Sequence, residues 1–144
     1  MSVVGLVEAI AAVDWDGADR DAVAAVLADV RRVRGWLDSV EIRAARRLVE
    51  LALASPSMFP EQVAAEAGRV SLTEASKGFE RAATVAAIPE MGVVLEAGQV
   101  SGAHIDVVTR AMRPLTPDQR DRLVERGEVL ALALMAPGGA ALVG

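Results

Sequence analysis

The sequence has 144 residues, 53% hydrophobic and only 3% aromatic, with 28 Ala and 21 Val. It can bury one aliphatic core and is too apolar for a disordered chain. The absence of cysteine excludes disulfides, thiol chemistry and iron–sulfur clusters, and one histidine, His104, is too few for a histidine-built metal site. Net charge is −5, from 15 basic against 20 acidic side chains, which opposes non-specific binding to phosphates, yet 14 of the bases are Arg and only Lys77 is Lys.

The first predicted helix runs from Ser2, a candidate N-cap, to about Val13, and Asp14-Trp15-Asp16-Gly17 breaks it. The opening residues carry no basic region, and no apolar run approaches the roughly 18 residues of a membrane span. A cytoplasmic protein without a membrane role is expected. From about residue 19 to 54 an unbroken pattern follows, with apolar residues at Val23, Val26, Val30, Val33, Leu37, Val40, Ala44, Leu48 and Leu51. The spacing of threes and fours predicts one long helix with a heptad-like seam, unbroken at Gly35. A helix of that length is about 50 Å long and must pack along other helices or along a second copy of itself. Ser55-Pro56-Ser57-Met58-Phe59-Pro60 ends it.

Shorter helices are predicted over about 61–67, 72–88, 90–97, 102–112 and 117–134. Ser71-Leu-Thr-Glu74 and Thr116-Pro117-Asp-Gln119 read as capping boxes, the second with proline at the first helical position. No strand pattern persists. The fold expected is all-α: residues 1–136 as a single helical domain, with a long-helix arm (19–54) and a short-helix region (60–135), then a flexible tail over 137–144.

Two segments echo each other at an offset of 30: Glu66-Ala-Gly-Arg-Val-Ser71 and Glu96-Ala-Gly-Gln-Val-Ser101. Each reads as a helix end, a glycine turn and a serine cap, with Val70 and Val100 expected to fill the corner. The first copy, Val63 to Lys77, resembles the helix–turn–helix of bacterial repressors with one extra turn residue, Arg69. An ordinary bundle corner is the plainer reading, because the would-be reading helix carries as many acids as bases.

Between Arg31 and Arg47 lie six arginines against Asp38 and Glu41, a local charge of +4. A solvated helix face is the first reading of this run, and a phosphate-binding stripe the alternative. The nucleic-acid candidates are therefore Arg31, Arg32, Arg34, Arg43, Arg46 and Arg47, with Lys77 and Arg81 from the corner. No nucleophile–base set can be assembled around His104, which reads as a cap or packing residue. The pairs Asp14/Asp16 and Asp118/Asp121 fit turn and helix-start chemistry rather than cation binding. No catalytic residue, metal or cofactor is expected.

From Phe59 to about Leu134 the chain resembles the actinobacterial domain-of-unknown-function 222 family, also called the 13E12 repeat family. The resemblance rests on Ser71-Leu-Thr-Glu-Ala-Ser-Lys77, Phe79-Glu-Arg-Ala82, Leu95-Glu-Ala-Gly-Gln-Val-Ser-Gly-Ala-His-Ile-Asp106 and Leu123-Val-Glu125. In that family the helical region usually precedes an HNH endonuclease domain. The resemblance implies a non-catalytic module that positions or regulates a DNA-acting nuclease, since one histidine cannot build a His-Asn-His site. Weak, salt-sensitive contact with DNA and self-association through the long helix are the partners expected. A purely structural oligomerisation domain is the competing reading.

Overall fold

The structure, a computed structural model, describes residues 2–139. They form eight helices and no strand: α1 (Val3–Ala11), α2 (Arg20–Ala54), α3 (Pro60–Gly68), α4 (Leu72–Ala87), α5 (Pro89–Glu96), α6 (Gly102–Met112), α7 (Pro117–Glu125) and α8 (Gly127–Met135). Ser2, Asp19, Ser71 and Thr116 cap α1, α2, α4 and α7 through their side chains, each accepting an amide three residues on. The Thr116–Gln119 box is reciprocal, Thr116 N–H donating to Gln119 Oε1 at 2.9 Å. Glu74 does not complete its box, because its carboxylate turns to Lys77 at 3.3 Å.

α2 is one unbroken helix, but its buried face differs from the expected seam. Gly35, Ser39, Ile42 and Ala45 are buried, whereas Val23, Leu37, Val40, Ala44 and Leu51 are exposed. At about 100° per residue, Gly35 and Leu37 lie on nearly opposite sides of the helix. The helix works on two faces. α1 folds back on its first half, where Leu6 and Val26 are buried and Val30 and Val33 half-buried. The second half turns its other side to α4 and α5.

The core lies there. Ile88, Met91, Leu95, Ile105, Val108 and Leu134 are fully buried, within a cluster reaching from Ile42 to Leu134. No aromatic residue is buried in it; Phe79 packs on its edge, while Trp15 and Phe59 are more than half exposed. The backbones of α2 and the α5–α6 turn approach each other closely at Gly35. A Cβ on Gly35 would stand 2.6 Å from the Val100 carbonyl oxygen and 3.0 Å from Gly98 Cα. The mid-helix glycine is therefore a contact requirement, not a weak point.

The repeat corners share a turn but not its register. Both helices end with a bond across five residues, Val70 N–H to the Ala65 carbonyl at 3.0 Å and Gln99 N–H to the Val94 carbonyl at 2.9 Å. The left-handed residue is Arg69 (φ 54°) in the first and Gly98 (φ 73°) in the second. The turns are offset by 29 residues and the serines by 30, which leaves Val100 as an added residue before its cap. Val100 enters the core at 3% exposure, whereas Val70, expected to be buried too, stays 43% exposed. The matching letters do not give matching corners.

The helix expected over 117–134 is two helices that break at Arg126 (φ −103°, ψ 24°). α7 buries no residue, while α8 buries Leu130, Ala131 and Leu134 and packs on α5. Gly127 sits against the Glu90 carboxylate and Ile88 with no room for a Cβ. Of the tail expected over 137–144, residues 140–144 lie outside the described residues, and Gly139 is buried with its N–H on the Ala136 carbonyl at 2.9 Å. Among the described residues no helix is long and apolar enough to cross a membrane.

Candidate nucleic-acid interface

All six arginines of the run between Arg31 and Arg47 stand on α2 and are exposed. Among the described residues, Arg31, Arg32, Arg34, Arg43 and Arg46 have no carboxylate within 4.0 Å, whereas Arg47 pairs with Glu50 at 3.0 Å. They do not form one stripe. At about 100° per residue, Arg32, Arg43, Arg46 and Arg47 share one flank within roughly 100° of arc, while Arg31 and Arg34 fall outside it. Arg43 and Arg46 overhang a groove of about 370 Å³ floored by Val85, Pro89, Gly92 and Leu95, with Glu96 on the lining as well. Two guanidinium groups above an apolar floor can meet phosphates by paired hydrogen bonds while their stems stay packed.

The two corner candidates lie elsewhere and are already engaged. Lys77 pairs with Glu74 at the surface. Arg81 reaches Asp106 with two bonds of 2.8 Å and lies 3.9 Å from Asp38, its side chain only 16% exposed. The hydrogen bonds to Asp106 raise its already high pKa, against the opposing effect of burial. Asp38 also accepts the Gly102 N–H at 2.7 Å, so a carboxylate from α2 caps α6. A Cβ on Gly102 would stand 2.6 Å from Arg81 Cζ. Arg81 thus ties α2, α4 and α6 together and is not free to meet a ligand.

α4 is the helix that would read DNA, and its surroundings oppose that role. It touches α2, α3, α5 and α6. Its outward charges are Glu74, Lys77 and Glu80, a net negative strip, and Glu80 binds Arg113 at 3.2 Å. A helix in the major groove needs a free, donor-rich face. This one lacks it.

His104 completes a cap. Its Nδ1 accepts the Ser101 N–H at 3.1 Å and lies 2.9 Å from the Ser101 hydroxyl. The nitrogen that accepts an N–H carries no proton, so the ring is neutral with its hydrogen on Nε2. Burial and the nearby Arg31 charge lower its pKa below 6.5. Asp106 is engaged by Arg81 and does not orient the ring, so Ser101, His104 and Asp106 form no relay. Among the described residues no group of three or more His, Asp or Glu side chains could hold a metal ion.

Sequence reading missed the α4–α6 pairing. Arg81–Asp106 and Thr84–Thr109 (2.6 Å between hydroxyls) are both 25 residues apart. The signal was present as polar residues three apart on each of two helices, with complementary chemistry. No family model matches the chain, nor does any curated protein or solved structure compared with it.

Proposed function

We propose that this chain is a non-catalytic, cytoplasmic helical module that helps hold a DNA-acting nuclease on its substrate, touching phosphates through one flank of α2. The observation that carries the reading is the set of Arg32, Arg43 and Arg46, exposed on one flank without a carboxylate within 4.0 Å. An acidic chain that leaves arginines unpaired on one helix has a local surface for anions despite its net charge of −5. The resemblance to the 13E12 repeat family supplies the link to a nuclease. The α3–α4 corner has no part in the contact, and Lys77 and Arg81 are left out of it. An outward apolar stripe on α2 favours self-association as a second activity.

The test is binding to duplex DNA at several salt concentrations. Replacing Arg32, Arg43 and Arg46 with Gln should flatten the log–log salt slope by about 0.9 per lost phosphate contact, or roughly 2.7 in total. Lys77→Gln should leave the slope as it was. An unchanged slope in the triple variant removes the flank from the account. Metal-dependent DNA cleavage by the purified chain overturns the non-catalytic reading.

A further inference from the structure

The groove beneath Arg43 and Arg46 carries more chemistry than contact with phosphates requires. α2 brings the two guanidinium groups, α4 brings Val85, and α5 brings Pro89 and Glu96. Arg43 and Arg46 have no carboxylate within 4.0 Å, and Glu96 has no basic partner within that distance among the described residues. Charges of both signs thus line one apolar hollow without neutralising each other.

A simple anion fits such a lining poorly. It gains two guanidinium groups but meets the Glu96 carboxylate across the same hollow. The lining suits a ligand with three parts: an anion for the arginines, an apolar body for the floor and an N–H donor for Glu96. A nucleotide has all three, with an exocyclic amino group on every base but thymine. The volume of about 370 Å³ lies at the small end of the range for small-ligand sites and leaves room for one such unit. Arg43 and Arg46 stand three residues apart, about 5–6 Å between Cβ atoms, and can hold the phosphates on either side of it. A duplex cannot use the hollow, because its bases are stacked and present only their edges. An unpaired base can be turned out and held between apolar side chains.

We propose that this groove takes one unpaired nucleotide of single-stranded DNA. Its base lies over Val85 and Pro89, its flanking phosphates on Arg43 and Arg46, and its amino group on Glu96. The inference rests on the phosphate contact assigned to the α2 flank and names the form of DNA that the flank prefers. It differs from that reading in requiring the base.

Fluorescence anisotropy with four DNA probes of equal length tests it: a dC strand, a dT strand, an abasic strand and a duplex. The dC strand should bind about tenfold tighter than the abasic strand, at the same salt slope, because only the base differs. It should also bind tighter than the dT strand and the duplex. Ala86→Leu, which fills the groove from an exposed position, should bring the dC strand down to the abasic one. Its melting curve and duplex binding should stay as they were. Glu96→Ala should make the dC and dT strands equal. Equal affinity for the dC and abasic strands overturns the inference, and an arginine-dependent salt slope that persists there leaves the phosphate reading standing. If neither strand nor duplex binds, both fall. Polyglutamate that competes as well as the dC strand also overturns the inference and gives the groove to an acidic protein segment.

Discussion

Gly35 and His104 show how much of this fold is decided by single atoms. A Cβ at Gly35 would meet backbone on two sides, the Val100 carbonyl oxygen at 2.6 Å and Gly98 Cα at 3.0 Å, and neither can swing aside as a side chain end could. Gly35→Ala gains helix propensity of about 1 kcal/mol but forces the helix off the turn, for an expected net loss of about 2 kcal/mol in denaturant unfolding. His104 gives a pH dependence with a definite sign. Its folded pKa lies below the unfolded value of 6.5. The native state therefore binds fewer protons than the unfolded chain between those two values. The contribution is fully present above about pH 6.5 and is lost as pH falls through the folded value. The urea midpoint should drop between pH 7 and pH 5, and by less in His104→Gln, which keeps an acceptor for the Ser101 N–H without a titrating ring.

At the scale of the element, helix starts were legible because each is written locally. Ser2, Asp19, Ser71 and Thr116 each stand immediately before the helix they cap, and the α2 pattern runs on without proline. The buried face of α2 was not legible. Its inward positions include Gly35, Ser39 and Ala45, small or polar residues that hydrophobic periodicity does not mark, while the larger Leu37, Val40 and Leu51 face out. Close approach of backbones, not side-chain size, selected the face. The division shows in truncation. Leu95→Ala, at a fully buried position, should cost about 2–5 kcal/mol of stability, and Leu51→Ala about 0.5 kcal/mol or less in the monomer. Comparable losses from the two would restore the expected seam. The break at Arg126 was hidden for a similar reason: nothing near it is proline, and the close packing of Gly127 against Glu90 and Ile88 leaves no mark in the sequence.

For the whole molecule, charge decides what DNA binding can look like. With 20 acids against 15 bases, affinity depends on the α2 flank and falls quickly with salt. Arg32, Arg43, Arg46 and Arg47 supply at most four phosphate contacts, so the slope of the parent chain should be no steeper than about −3 to −4. Exposure of the arginines could be read from the helix pattern. The engagement of Arg81 was marked only by polar residues three apart on each of two helices, and a single sequence does not show that Asp106 and Asp38 are the groups that meet it.

The contact between Gly35 and the α5–α6 turn also has a mechanical side. The backbone of the turn stands against α2 at Gly35, so any tilt of the helix would have to pivot there. Toward Ala54 the helix is held by Ile42 and Ala45 in the core cluster; its first half packs against α1. That half is about 22 Å long, and a tilt of about 10° would displace Arg20 by about 4 Å. A small rotation about that contact would thus be magnified at the far end of α2, where the chain turns back into α1.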